Sequence, residues 1–247
     1  MKFNRTLFLI FSLVILFLGC NSKLNDPQQI VDKAISFAGG EKYLNSVIEF
    51  DFRGRHYVAR RKGGLFSYER IFDDSLGTVH DKVSNEGFQR KITDEEATVA
   101  DTMAVKYTSS INSVIYFALL PYGLNDAAVI KTFRGETVIE DKAYFVIQVT
   151  FNAVGGGEDH EDVFLYWINQ QNFAVDYMAY SFAESDEISF RFREAYNARV
   201  INGIRIQDYI NYKPSDNSLT VDQAEELYKN GELIELSKIE TENVTVN

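Results

Sequence analysis

The chain has 247 residues, is 45% hydrophobic and 14% aromatic, and carries 36 acidic against 25 basic side chains for a net charge of −11. Its 19 Phe and 14 Tyr exclude a disordered chain, while 15 Gly and 3 Pro exclude collagen-like or low-complexity sequence. The acidic balance argues against sequence-independent nucleic-acid binding, and a lone cysteine excludes internal disulfides, Cys-rich zinc sites and iron–sulfur clusters.

Residues 1–20 read MKFNRTLFLIFSLVILFLGC. Lys2 and Arg5 precede an apolar run, 7–18, interrupted only by Ser12. That run suits a signal-peptide core and is too short for a transmembrane helix, which needs about 20 apolar residues. Gly19 and Cys20 close it in a pattern that resembles the lipobox of bacterial lipoproteins, although Phe17 stands where Leu is usual. The resemblance implies a signal peptide over 1–19, lipid attachment at Cys20, and a lipidated tether over 20–25 that anchors the protein to a membrane. Several acyl chains at one N-terminus are enough for stable anchoring. Asn21 after the cysteine, in place of a retention-type Asp, points by the same analogy to the outer membrane, with the body facing the periplasm or the outside. Loss of Lys2 and Arg5 would take the net charge to −13. The competing reading is an ordinary signal peptide or anchor with an incidental cysteine.

Residues 26–247 read as a single domain. Asp26, Pro27 and Gln29 predict a helix start, and Ile30, Ala34, Phe37 and Ala38 predict its apolar stripe, ended by Gly39 and Gly40. From Val47 the period changes to two. Strands are predicted over 47–53, 56–61, 65–73, 78–84 and 87–92, with links too short for parallel crossovers, hence an antiparallel meander. Residues 101–120 return to helical spacing through Ala104, Tyr107, Ile111, Val114, Ile115 and Ala118. Tyr116, Phe117 and Leu119 make the other face apolar too, so this helix is predicted to be largely buried, with Pro121 as its stop. A second meander is predicted over 129–139, 143–151, 162–169, 173–182, 187–196 and 204–212. Thr220 with Gln223 predicts a capping box for a short helix to Lys229, and 239–246 a last strand.

The fold class is therefore mainly β (α+β), with about 11 antiparallel strands and helices near both ends. So long a sheet must bend, and the apolar 101–120 helix is its natural filler. This layout resembles the half-open barrel of the LolA, LolB and LppX group of lipoprotein carriers, which implies a strongly bent sheet wrapped around a buried central helix and holding acyl chains. The segments DKAISFAGGEKYLNS, FDFRGRHY, SVIYFALLPYGLND, GGGEDHEDVFLYWIN and INGIRIQDYINYKP are similar to a functionally uncharacterised family of Bacteroidota lipoproteins. That resemblance spans nearly the whole mature chain and implies no catalytic residues.

The densest polar cluster is 158–162, where Glu158, His160 and Asp162 share one strand face and are weak metal-ligand candidates. No HExxH, EF-hand spacing or second nearby histidine supports them, and a solvated acidic hairpin tip is the simpler reading. Arg70 has the parity of Phe66, Tyr68 and Phe72, and Asp208 that of Ile204, Ile206 and Ile210. Each needs a partner if those faces are buried, either as an interior ion pair or around a polar ligand head. Arg191 and Arg193 alternate with Phe190 and Phe192 and are expected to face solvent. Tyr107, Phe117 and Trp167 are candidate ligand contacts, although aromatic residues at such positions are more often core. There is no nucleophile elbow, catalytic triad or nucleotide-binding glycine motif, and no cofactor is expected. The reading is a lipoprotein whose bent sheet binds a hydrophobic small molecule or lipid. Its rivals are an interaction module with a filled core and a metal-dependent hydrolase built on 158–162.

Overall fold

The computed structural model describes residues 24–154, 162–184, 187–216 and 218–247. Helix α1 (Pro27–Ala38) begins as its local chemistry dictates: the extended Asp26 accepts a hydrogen bond from the Gln28 N–H at 2.9 Å, and Pro27 takes the first helical position. Its buried stripe is Ile30, Val31, Ala34 and Ala38. Phe37 falls just outside that arc and is exposed, with the Arg205 guanidinium over its ring.

Strands β1 (Asn45–Phe52), β2 (Arg55–Lys62), β3 (Leu65–Asp74), β4 (Gly77–Ser84), β5 (Gly87–Ile92) and the two-residue β6 (Glu95–Glu96) form the first antiparallel meander. Helix α2 (Asp101–Ala118) leads to the second, β7 (Val129–Ile139), β8 (Lys142–Phe151), β9 (Phe164–Asn169), β10 (Val175–Glu184), β11 (Glu187–Ile201) and β12 (Ile204–Lys213). Helix α3 (Ala224–Lys229) follows the Thr220–Gln223 capping box, and the described chain ends in β13 (Ile234–Ile239) and β14 (Glu242–Val246).

The described residues thus hold two seven-stranded antiparallel sheets, in the orders β14-β1-β2-β3-β4-β5-β6 and β13-β12-β11-β10-β9-β8-β7. This replaces the expected single sheet of about 11 strands. The difference arises mostly at the C-terminal end. The strand expected over 239–246 corresponds to β14, which pairs with β1, and it is preceded by β13, a strand not expected over 234–238, which pairs with β12. Two consecutive strands therefore serve different sheets and tie their edges together.

Each face of the second sheet is covered. Ile30, Val31 and Ala34 of α1 pack on one face with Ile147, Tyr166 and Met178. Ala224 and Leu227 of α3 pack on the other with Trp167, Phe190 and Phe192. Sandwiched between them, β9 is buried at every position, which is why FLYWIN reads as a continuous apolar run.

Helix α2 touches both sheets. Ile111 and Ile115 join the core of the first sheet with Phe50, Ala59 and Tyr68, whereas Tyr116 and Phe117 pack against the second. The helix is less buried than expected: Met103 and Val105 are exposed, and among helical positions only Ile111 and Ile115 are fully buried. The reason is geometric. Val105, Thr108, Ser109, Asn112 and Tyr116 recur at helical spacing along one side of α2, and that side borders open space.

Candidate functional site

Antiparallel register sets Ile147, Tyr166, Met178, Arg193, Asn211 and Ser237 side by side across β8 to β13. Directly opposed residues share a face, so this row defines the side of the sheet that looks toward α1 and α2. The next row places Val149, Phe164, Tyr180 and Arg191 together. Sequence alternation alone assigned Arg191 and Arg193 to solvent. That assignment fails because both faces of the sheet are covered: Phe190 and Phe192 lie under α3, while Arg193 points the other way and is 7% exposed.

Between this face and α2 lies a cavity of about 1350 Å³. Its apolar wall includes Phe117, Phe151, Phe164, Tyr180 and Phe182, and β1 contributes Phe50 and Phe52. Its polar part is built from Arg191 and Arg193 on β11, Gln207 and Asn211 on β12, and Ser237 on β13. Helix α2 adds the small polar stripe Thr108, Ser109, Asn112 and Ser113.

Within that lining, Arg193 Nη2 donates to the Tyr180 hydroxyl at 2.9 Å, and its guanidinium lies 3.9 Å from the Phe117 ring centroid. Gln207 Nε2 donates to the Tyr209 hydroxyl at 2.8 Å and to the Val175 carbonyl at 3.0 Å. Three buried polar atoms here have no hydrogen-bond partner: Arg193 Nε, Gln207 Oε1 and Asn211 Oδ1. Nearby, the Tyr116 and Tyr166 hydroxyls lie 2.6 Å apart, and burial raises both phenols well above their ordinary value of 10.0. Burial raises the Tyr209 phenol as well. All three rings stay neutral around the arginine.

The ligand candidates chosen from sequence fall at separate places. Only Phe117 belongs to the cavity lining. Arg70 is in the first sheet, where Phe50, Tyr57, Arg70, Asp81 and Arg90 stand in one cross-strand row. Its Nη2 donates to Asp81 Oδ2 at 2.6 Å, and Arg90 Nε donates to Asp81 Oδ1 at 2.6 Å. Ser110 of α2 accepts from Arg70 Nη1 at 3.1 Å, and Tyr107 lies under the Arg90 guanidinium with 3.9 Å to its centroid. Asp208 instead secures the joint between the sheets. It accepts from Arg199 Nη1 at 3.0 Å, Asn197 Nδ2 at 2.6 Å and the Thr241 N–H at 2.9 Å. Trp167 is on the α3 side, where its Nε1 donates to Glu225 Oε2 at 2.7 Å.

Of the metal candidates, Asp162 borders the cavity, while Glu158 and His160 lie outside the described residues, as does Cys20. Among the described residues no group of three potential metal ligands occurs, and no helix is long and apolar enough to cross a membrane. His56 pairs with Asp51 at 2.8 Å and His80 with Glu69 at 3.0 Å.

Arg193, Gln207 and Asn211 were missed from sequence, yet a signal existed. In β10 both alternating sets, Tyr177 with Ala179 and Met178 with Tyr180, are apolar or aromatic. A neighbouring strand in such a sheet has no solvent face, so its arginines must meet the interior.

Comparison with solved structures finds weak likenesses over much of the chain. A LolA superfamily protein from Nitrosomonas europaea is 13% identical, with 89% of this chain and 92% of that one covered and a TM-score of 0.47. A DUF1329 family protein from Desulfovibrio piger is 9% identical over the same shares, with a TM-score of 0.41. The lipoprotein LppX of Mycobacterium tuberculosis is 14% identical, covering 63% of this chain and 88% of that one, with a TM-score of 0.27. Likeness at this level leaves function to be argued from this chain's own geometry. No curated protein matches the sequence. A family model does: DUF6503, described as a family of unknown function, matches residues 5–241, and the chain belongs to that family.

Proposed function

We propose that this protein is an envelope-anchored lipoprotein that binds a hydrophobic or amphipathic ligand between α2 and strands β9 to β13. The observation that carries the reading is the cavity of about 1350 Å³ with an aromatic wall. Small-molecule pockets commonly measure about 300–1,000 Å³, so this space is ample for an acyl chain or a larger amphiphile. A sheet whose concave face were filled by the helix would leave no such space. Here α2 turns the small side chains of Thr108, Ser109 and Ser113 toward it.

The two sheets, joined through β13 and β14 and bridged by α2, are the arrangement expected of a half-open barrel. The lipobox-like FLGC at 17–20 supports acylation of Cys20 and attachment to the outer membrane. Incorporation of labelled palmitate into the wild type, lost in Cys20→Ser, tests the anchor. Native mass spectrometry and organic extraction of the purified protein test the ligand. A co-purifying lipid or apolar metabolite is the expected result, and repeated recovery of protein alone from different lipid backgrounds refutes the reading.

A further inference from the structure

The chemistry of the cavity's polar end specifies more than an apolar ligand. Resting on the cavity reading above, we propose that the ligand is an amphiphile with an acidic head group, and that Arg193 is the residue that receives it.

Arg193 is more than nine-tenths buried at the middle of β11, flanked in register by Met178 and Asn211. A cation in such a place needs a counter-charge, because an unpaired buried charge costs several kcal/mol. Elsewhere this chain supplies one. Buried Arg70 meets Asp81, and half-buried Arg199 meets Asp208. Arg193 has only a phenol and an aromatic ring: Tyr180 accepts from Nη2, Phe117 covers the guanidinium plane, and Nε is unpartnered. Among the described residues no carboxylate approaches it within 4.0 Å. The phenols of Tyr166 and Tyr209 are kept neutral by burial and cannot serve as the anion.

The surrounding atoms refine the head group. Gln207 Oε1 and Asn211 Oδ1 are buried acceptors without donors, and both residues line the same cavity from the adjoining strand. Asn211 stands directly across the ladder from Arg193, so a head whose anionic oxygen accepts from Arg193 Nε could also donate to Asn211 Oδ1 through a neighbouring hydroxyl or N–H. Phe151, Phe164 and Phe182 then offer the tail an apolar path away from the charge. The carboxylate of a fatty acid and the phosphate of a phospholipid both supply the anionic oxygen that Arg193 requires, and a phospholipid head can add the donor.

The test uses the purified, delipidated full-length chain and displacement of the neutral dye N-phenyl-1-naphthylamine by palmitate, hexadecyl phosphate, hexadecanol and hexadecylamine. A hydrogen-bonded charge is worth about 1.5–3 kcal/mol, which corresponds to about tenfold or more in affinity. Palmitate or hexadecyl phosphate is therefore expected to bind at least about tenfold tighter than hexadecanol, with hexadecylamine weakest, and the better acid identifies the head. Arg193→Gln should bring the acids down to the level of the alcohol while hexadecanol is unchanged, and Arg193→Lys should retain a preference for acids. Equal affinity of acids and alcohol in the wild type, or a preference that survives in folded Arg193→Gln, overturns the proposal and leaves the cavity reading standing. Failure of the dye and all four amphiphiles to bind overturns both. Should Arg193→Gln not fold, the wild-type ranking together with Arg193→Lys still decides.

Discussion

The Arg193 guanidinium lies over the Phe117 ring, 3.9 Å from its centroid. One residue belongs to β11 and the other to α2, so this contact fastens the helix to the second sheet where both line the cavity. A desolvated cation–aromatic contact contributes about 2 kcal/mol, and about half that when water reaches it. Phe117→Leu keeps much of the side chain's volume but removes the aromatic face. We expect a loss of about 1–3 kcal/mol in urea denaturation. In a double-mutant cycle with Arg193→Gln the two changes should couple by about 1–2 kcal/mol. Strict additivity would show that the stack contributes nothing to holding α2.

Asp81 is fully buried between two guanidiniums, with Arg70 and Arg90 each donating two hydrogen bonds to its carboxylate. Removing the carboxylate charge strands two cations on a covered face, whereas removing one arginine leaves a matched pair. Asp81→Asn should therefore cost about 3–5 kcal/mol, and Arg70→Met distinctly less. Equilibrium unfolding of both variants decides. An Arg70→Met protein as unstable as Asp81→Asn would mean that Arg70 matters through packing against Phe72 and Tyr107 rather than through charge.

How much of this was legible beforehand depends on the periodicity of each segment. The caps of α1, the Thr220–Gln223 box and the meanders follow from local patterns, and the structure reproduces them. The C-terminal strands change sheet at Glu240 and Thr241, between β13, which the predicted last strand reaches only at Ile239, and β14, and no local propensity marks that switch. Parity correctly implied that Arg70 and Asp208 need partners. It could not name Asp81 or Arg199, because pairing across strands is a matter of register. Arg193 was misassigned for a related reason. Alternation in one strand reports that its faces differ, not whether water or a second layer covers each of them. The cavity leaves a faint trace in α2, whose small polar stripe of Thr108, Ser109 and Asn112 borders it.

On the α3 side, Glu225 offers a pH-dependent check. Burial pushes its carboxyl up, but hydrogen bonds from Lys229, Thr137 and Trp167 outweigh that and hold it below its ordinary value of 4.5. A depressed carboxyl binds its proton less readily when folded than when unfolded. Its contribution is thus complete above about pH 4.5 and disappears as the pH falls through the lowered value. Glu225→Gln should cost about 1–3 kcal/mol at pH 7 and make stability less sensitive to acid. Trp167 is the chain's one tryptophan and donates directly to Glu225, so intrinsic fluorescence follows this site. An unchanged acid slope in the variant would remove Glu225 from the account.

Occupancy of the cavity can be tested from α2 without touching the polar end. Asn112 borders the cavity and is itself exposed, with Thr108 and Ser109 one turn before it on the same side. An indole there extends into open space rather than into packed backbone. Asn112→Trp should therefore change stability by no more than about 0.5 kcal/mol, as expected for a substitution away from the core. The same indole would occupy volume that a ligand needs, and affinity for a bound amphiphile should fall at least about tenfold, equivalent to about 1.4 kcal/mol. Thermal denaturation and the dye-displacement assay read the two quantities separately. Unchanged affinity in a fully folded Asn112→Trp protein would place the bound amphiphile somewhere other than beneath α2.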